Sequence, residues 1–382
     1  MDTATQTTLD RPVEPHVSDA ELLARQFTTD DPESLDNLCL MVPETDQAPV
    51  IEFAYNLTPS KREERPYVRC AHCKYPNHWR GYVMRYPDGR RFLVGKDCGA
   101  KIYGADFTLV ENRFDEQRTR KGYLRRLGNV RVAFPELLRA VGDILHDHPV
   151  FTQYQACRRE LHDNLPNLCR QLSLVASRRQ GMLAVEERVR DYAAEQRRDE
   201  HQKEEQEEVA KLTLTQRKKL RKKGLLPKKD ERPIYRTIER HVGRLAGDSL
   251  FVSGISPRQA VLECHDRLKA IFREITNRGS ENITTTQLRT LVRELGDILD
   301  RIDGQLDFLN AVPSFFNPEN LLTVAAWASR IPACKGRYHA QGGILLRLPV
   351  DDGDSGIRIT APAGYTVPRP DALSVFRLAL TQ

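Results

Sequence analysis

The sequence predicts a mainly α-helical protein, with a metal-binding module near the N-terminus, a long charged spacer helix and a small C-terminal β appendage. Three observations lead there. Apolar residues recur at helical spacing from Asp106 to Arg330 between recognisable cap signals. A Cys-x-x-Cys pair at Cys70 and Cys73 is followed by Cys98 across two short strand-like runs. Ala193 to Glu208 holds no large apolar residue, so a helix there spans and does not pack.

The chain has 382 residues, 59 Lys plus Arg, 53 Asp plus Glu and 40% hydrophobic residues, enough for several compact units and far beyond a disulfide-stapled miniprotein. No window approaches the roughly 20 apolar residues needed to cross a bilayer, so no membrane partner is expected. Met1 to Asp10 has neither the basic start nor the apolar core of a secretory signal, and a cytoplasmic location is the expectation. In a reducing compartment the close pair Cys70 and Cys73 reads as metal ligation, while Cys39, Cys157, Cys169, Cys264 and Cys334 read as ordinary thiols.

Composition shifts divide the chain into six stretches: 1–48, 49–105, 106–178, 179–232, 233–332 and 333–382. The first is an acidic, largely disordered arm, because residues 1–60 carry 12 acids and 2 bases and bury too little apolar surface to offset ordering entropy. One short helix is expected there, since Ser18 and Glu21 form a capping box ahead of Leu22 and Leu23. Val50 to Leu57 then reads as a strand leading into the metal module, 49–105.

Within that module run Arg69-Cys70-Ala71-His72-Cys73, Asn77-His78-Trp79 and Val94-Gly95-Lys96-Asp97-Cys98-Gly99. Zinc takes four soft or borderline ligands in a tetrahedron, and a Cys-x-x-Cys turn supplies two of them from one tight loop. Trp79 to Tyr86 and Arg90 to Val94 form a hairpin across Pro87-Asp88-Gly89 that returns Cys98 to the knuckle. Knuckle, hairpin and a ligand at a helix start is an order that resembles the treble-clef zinc finger, over residues 67–104 only. That resemblance implies a fourth ligand in the first helical turn after Cys98, where this chain has Lys101. The expected zinc ligands are therefore Cys70, Cys73, Cys98 and His78, with His72 and Asp97 as poorer alternatives. Three thiolates make the ion electron-rich, which marks a structural Zn2+ site.

The module interleaves aromatic and basic residues, the combination that stacks exposed bases and neutralises phosphates. Period-two alternation places Arg80, Tyr82, Met84 and Tyr86 on one strand face. The expected nucleic-acid contacts here are Arg80, Tyr82, Arg85, Arg90, Arg91 and Lys96. The competing reading is that the aromatics cover the metal and pack on neighbouring helices.

In the helical body, Ser256-Pro257 and Asn317-Pro318 open helices and Gly279 closes one. Residues 137–145 and 291–299 share six identities in nine positions, a hint of two related helical units in which the common glycine marks a close helix crossing. The charged helix and basic linker span 179–232. Residues 195–208 carry 7 acids and 3 bases, and residues 217–229 carry eight bases, among them Arg217, Lys218, Lys219, Arg221, Lys222 and Lys223. Such a run grips phosphate backbone without reading sequence, or folds back on its acidic neighbour. After Pro332, Gly336 to Pro349 and Gly356 to Pro362 read as a strand pair around the Asp351-Asp352-Gly353-Asp354 turn.

No Walker loop, nucleophile elbow or dinucleotide fingerprint is present, and no catalytic constellation emerges. The leading expectation is a non-enzymatic nucleic-acid-binding protein with structural zinc. A protein-interaction adaptor and an uncharacterised nuclease-type enzyme are the alternatives.

Overall fold

In a computed structural model, residues 17–45, 47–57, 67–223, 231–252, 254, 256–277, 283–349 and 355–382 are described. Gly279, the Asp351 to Asp354 turn and the end of the basic run after Lys223 lie outside them. The protein is mainly helical, as expected, and three small sheets lie among the described residues. It divides into two compact units: Met1–His146 with Ala260–Asp303 and Arg369–Gln382, and Asp147–Gln259 with Gly304–Pro368.

The first unit opens with α1 (Asp19–Ala24), set by the Ser18/Glu21 capping box that the sequence announces. The segment expected to be largely disordered is instead folded over its described part. Leu22 and Phe27 enter a core with Ile51, Met84, Phe92, Phe107 and Phe114, and Phe27 meets Phe114 edge to face at 5.3 Å. Asp19 takes a bidentate bond from Arg120 at 2.6 and 2.9 Å, which clamps α1 to the long helix α2 (Lys96–His146). Two apolar side chains and one ion pair offset the ordering entropy that composition alone counts against this stretch.

A four-stranded sheet follows, in the order β1 (Leu38–Cys39), β4 (Arg91–Val94), β3 (Arg80–Arg85), β2 (Val50–Asn56), with β1 parallel to β4 and the rest antiparallel. One sheet face, with Met84, Phe92 and Val94, packs on Phe107 and Phe114 of α2; Val83, Leu93 and Tyr55 on the other join Leu57 and Val68. Helix α2 breaks at Gly104, whose φ of 56° and ψ of −127° only glycine adopts freely. Beyond that break α2 runs beside α7 (Pro257–Asn277) and α11 (Asp371–Thr381), where Phe134 contacts Phe272 and Phe376 at 5.1 and 4.9 Å. Ser256 caps α7 as expected. The two related segments lie in α2 and α8 (Thr285–Leu309), but the shared glycine is no common crossing: Gly142 faces the His265 ring and Gly296 faces open space.

In the second unit, α3 (Val150–Asn164), α4 (Pro166–Arg178), α9 (Ala311–Phe315) and α10 (Pro318–Ala328) surround Phe251, Phe315 and Leu172. Helical spacing between α4 and α7 is overturned by a β ribbon. Strands β5 (Met182–Arg190) and β6 (Tyr235–Arg244) pair antiparallel over nine registers. Leu183, Ala184 and Val185 are buried at the ribbon's base, and the Trp327 indole donates to the Ala184 carbonyl at 2.9 Å. The alternating Glu-Glu-Arg-Val-Arg tail of β5 is half exposed on both faces, so its apolar signal was too sparse to declare a strand.

The far end of the ribbon carries α5 (Tyr192–Lys211) and α6 (Leu214–Lys222). Helix α5 buries only Glu195 and α6 buries nothing, as expected of a spanning charged segment. The C-terminal β part is a three-stranded sheet of β7 (Arg337–Gln341), β8 (Ile344–Leu348) and β9 (Ile357–Thr360), one strand more than expected, because Gly342-Gly343 turns the first run into a hairpin.

Candidate metal centre and nucleic-acid interface

The knuckle is closed by Val68 and His78, which exchange backbone hydrogen bonds at 2.8 and 3.0 Å. Inside it, Lys74 donates to the Cys70 carbonyl and sits at φ 61°, a left-handed residue that turns the chain straight after Cys73. Ala71 donates to the Leu93 carbonyl, anchoring the turn to β4. Cys98 lies in the first turn of α2, so the order is knuckle, hairpin, helix.

This brings the sulfur atoms of Cys70, Cys73 and Cys98 within 4.8 Å of one another, two from the knuckle and one from the helix start. The cluster has the donor set of a metal site. Burial pushes the Cys70 thiol up, but the backbone N–H groups of Cys73, Gly95 and His72 all point at its sulfur and bring it below its ordinary value. Burial and hydrogen bonding with the other two cysteines push the Cys98 thiol up to about 12. A metal ion bound there would displace the thiol protons.

His78, His72 and Asp97 stand outside this cluster of three. The His78 ring nevertheless occupies a built slot. Its Nδ1 is 2.7 Å from the Tyr55 hydroxyl, and a Cβ on Gly81 or Gly95 would overlap the imidazole. Gly95 is the residue whose N–H reaches Cys70. Burial lowers the His78 pKa and keeps the ring neutral, the form that binds metal. Sequence reasoning missed Tyr55, Gly81 and Gly95, because their relation to His78 exists only across strands.

The hairpin residues expected to touch nucleic acid are mostly engaged within the protein. The alternation that joins Tyr82, Met84 and Tyr86 is real, but α2 covers that face. Tyr82 lies edge-on to Phe107 and Phe114 and donates to Glu111 at 2.7 Å. Lys96 pairs with the same carboxylate at 2.9 Å. Arg91 makes two bonds to Glu52, at 2.6 and 3.0 Å, and Arg85 lies 3.4 Å from the same group. Arg90 is tied to Asp88 at 2.7 Å. Arg80 alone of the six keeps a guanidinium without an acidic partner, 4.9 Å above the Trp79 ring. A strand face beside a helix goes to packing, acids from β2 and the turn pair the arginines, and Glu111 of α2 pairs Lys96.

On α6 the outcome is the opposite. Thr213 and Gln216 form its capping box, and Arg217 folds back onto the Leu212 and Ala210 carbonyls. Lys218, Lys219, Arg221, Lys222 and Lys223 are exposed and, among the described residues, make no ion pair with an acid. The preceding acids of α5 do not fold onto them. Among described residues no helix is long and apolar enough to cross a membrane. Comparisons with protein-family models, curated proteins and solved structures find no match.

Proposed function

We propose that the chain is a non-enzymatic, zinc-containing protein that binds nucleic acid through its phosphate backbone. What carries this reading is the end of the arm, where Lys218, Lys219, Arg221, Lys222 and Lys223 stand exposed without an acidic partner among the described residues. Cations in the last turn complement the helix dipole, but five within six residues exceed what capping uses, and their mutual repulsion is relieved by an anionic polymer.

Three clustered sulfurs select a soft or borderline ion, and zinc fits them better than magnesium or calcium. Cys70, Cys73 and Cys98 would hold it, with His78 as fourth ligand through Nε2 while Nδ1 stays with Tyr55, the outer contact typical of metal-bound histidine. Such an ion contributes folding energy and orients the knuckle, as in the treble-clef fingers that residues 67–104 resemble.

The test is binding of the zinc-loaded protein to labelled single- and double-stranded oligonucleotides over a salt series. Affinity falling steeply with salt is expected. Replacing Lys218, Lys219, Lys222 and Lys223 by Ala lowers the duplex slope by about three to four. No binding at low salt overturns the reading and favours a protein-interaction adaptor.

A further inference from the structure

The basic and aromatic residues left free on the metal module lie on its knuckle, away from the strand face first expected to bind. Tyr67, Tyr75 and Trp79 are 42, 55 and 42% exposed. Arg69, Lys74 and Arg80 are exposed too and pair with no acid among the described residues. Residues 67–80 contain these three bases and no Asp or Glu, so they outweigh the single negative charge of a zinc ion held by three thiolates.

The backbone arranges the aromatics. Val68 and His78 form a hydrogen-bonded antiparallel pair, which sets Tyr67 opposite Trp79 and Arg69 opposite Asn77. Val68 is buried and His78 fills its glycine slot, so alternation turns Tyr67 and Trp79 to the outward face. Arg80 lies over the Trp79 ring. A large indole held at a strand neck, flanked by tyrosines and unpaired cations, costs burial that the protein forgoes without a partner.

We propose that this knuckle is a stacking platform for unpaired nucleobases, so that the module takes single-stranded nucleic acid while the arm holds backbone. Aromatic faces reach bases only where these are unstacked, and a duplex offers the platform none. The cations beside the rings meet the phosphates of the same strand. This assignment rests on the nucleic-acid reading above and adds the strand state and the residues that sense it.

The chain contains two tryptophans, and Trp327 is buried at 3% exposure against the ribbon, so the exposed emitter is Trp79. A labelled oligothymidine of about twelve nucleotides is the probe, read by anisotropy and by tryptophan emission. Saturation quenches the wild-type emission, and Trp79→Phe abolishes the quench while keeping affinity within a few-fold. Tyr67→Ala and Trp79→Ala weaken the single strand about tenfold or more and leave duplex affinity unchanged, with zinc content as the check on folding. Unquenched emission at saturation, with Tyr67→Ala binding as wild type, overturns the platform while the arm's binding stands. Failure of every oligonucleotide to bind at low salt overturns the nucleic-acid reading itself.

Discussion

The imidazole of His78 lies where side chains on Gly95 and Gly81 would stand, with its Nδ1 on the Tyr55 hydroxyl at 2.7 Å. Two glycines on β3 and at the end of β4 thus carve a slot for one ring beside the residue that donates to Cys70. Gly95→Ala is expected to expel the ring without touching a cysteine. Zinc affinity then falls at least about ten- to a hundredfold, the cost already seen when a ligand loses only its outer partner, as measured by competition with a chelating dye.

Removing a sulfur donor acts more directly. Cys98→Ser is expected to lose zinc and open the hairpin to protease, since the thiol is what ties the first turn of α2 to the knuckle. His78→Ala weakens zinc without abolishing it, and His72→Ala leaves it intact. Full affinity in His78→Ala together with loss in His72→Ala would reassign the fourth position.

The clamp between Asp19 and Arg120 is open to a stability measurement. Both side chains are largely buried, so Asp19→Asn leaves the guanidinium poorly compensated. A loss of about 2 to 3 kcal/mol is expected from the urea midpoint, less than for a fully buried pair because Arg120 also reaches the Ile283 carbonyl.

At the root of the arm, Glu195 accepts from Arg190 at 2.8 Å and from the Ile234 amide at 2.8 Å. The Arg190 bond, with the Ile234 amide behind it, holds the carboxyl below the ordinary glutamate range. A carboxylate with a depressed folded pKa stabilises above its unfolded value and loses that contribution as pH falls through the folded one. Exchange of the Ile234 amide is therefore expected to accelerate as pH falls below the ordinary glutamate range, after correction for intrinsic rates. Glu195→Gln should remove this pH dependence.

Much of the helical frame was legible in the chain. The capping box at Ser18 and Glu21 sets α1, Ser256-Pro257 and Asn317-Pro318 open α7 and α10, and the all-polar run gives the unpacked α5. Each of these is a local signal, satisfied by atoms within a turn or two of backbone. The three cysteines were legible for a related reason, since Cys-x-x-Cys and a turn sequence imply their own closure.

What tertiary packing decided was which polar groups stay free. Composition marks Arg85, Arg91 and Lys96 as cations, but Glu52 and Glu111 reach them from other elements and take their charge. The same alternation that makes Tyr82 a candidate contact delivers it to Phe107 and Phe114, because alternation names two faces and the helix above the sheet chooses between them. Among the described residues no acid pairs the lysines of α6, and the rings of Tyr67, Tyr75 and Trp79 stay exposed. Charge and pattern are properties of the sequence; their neutralisation depends on distances of a few ångströms between residues far apart in the chain.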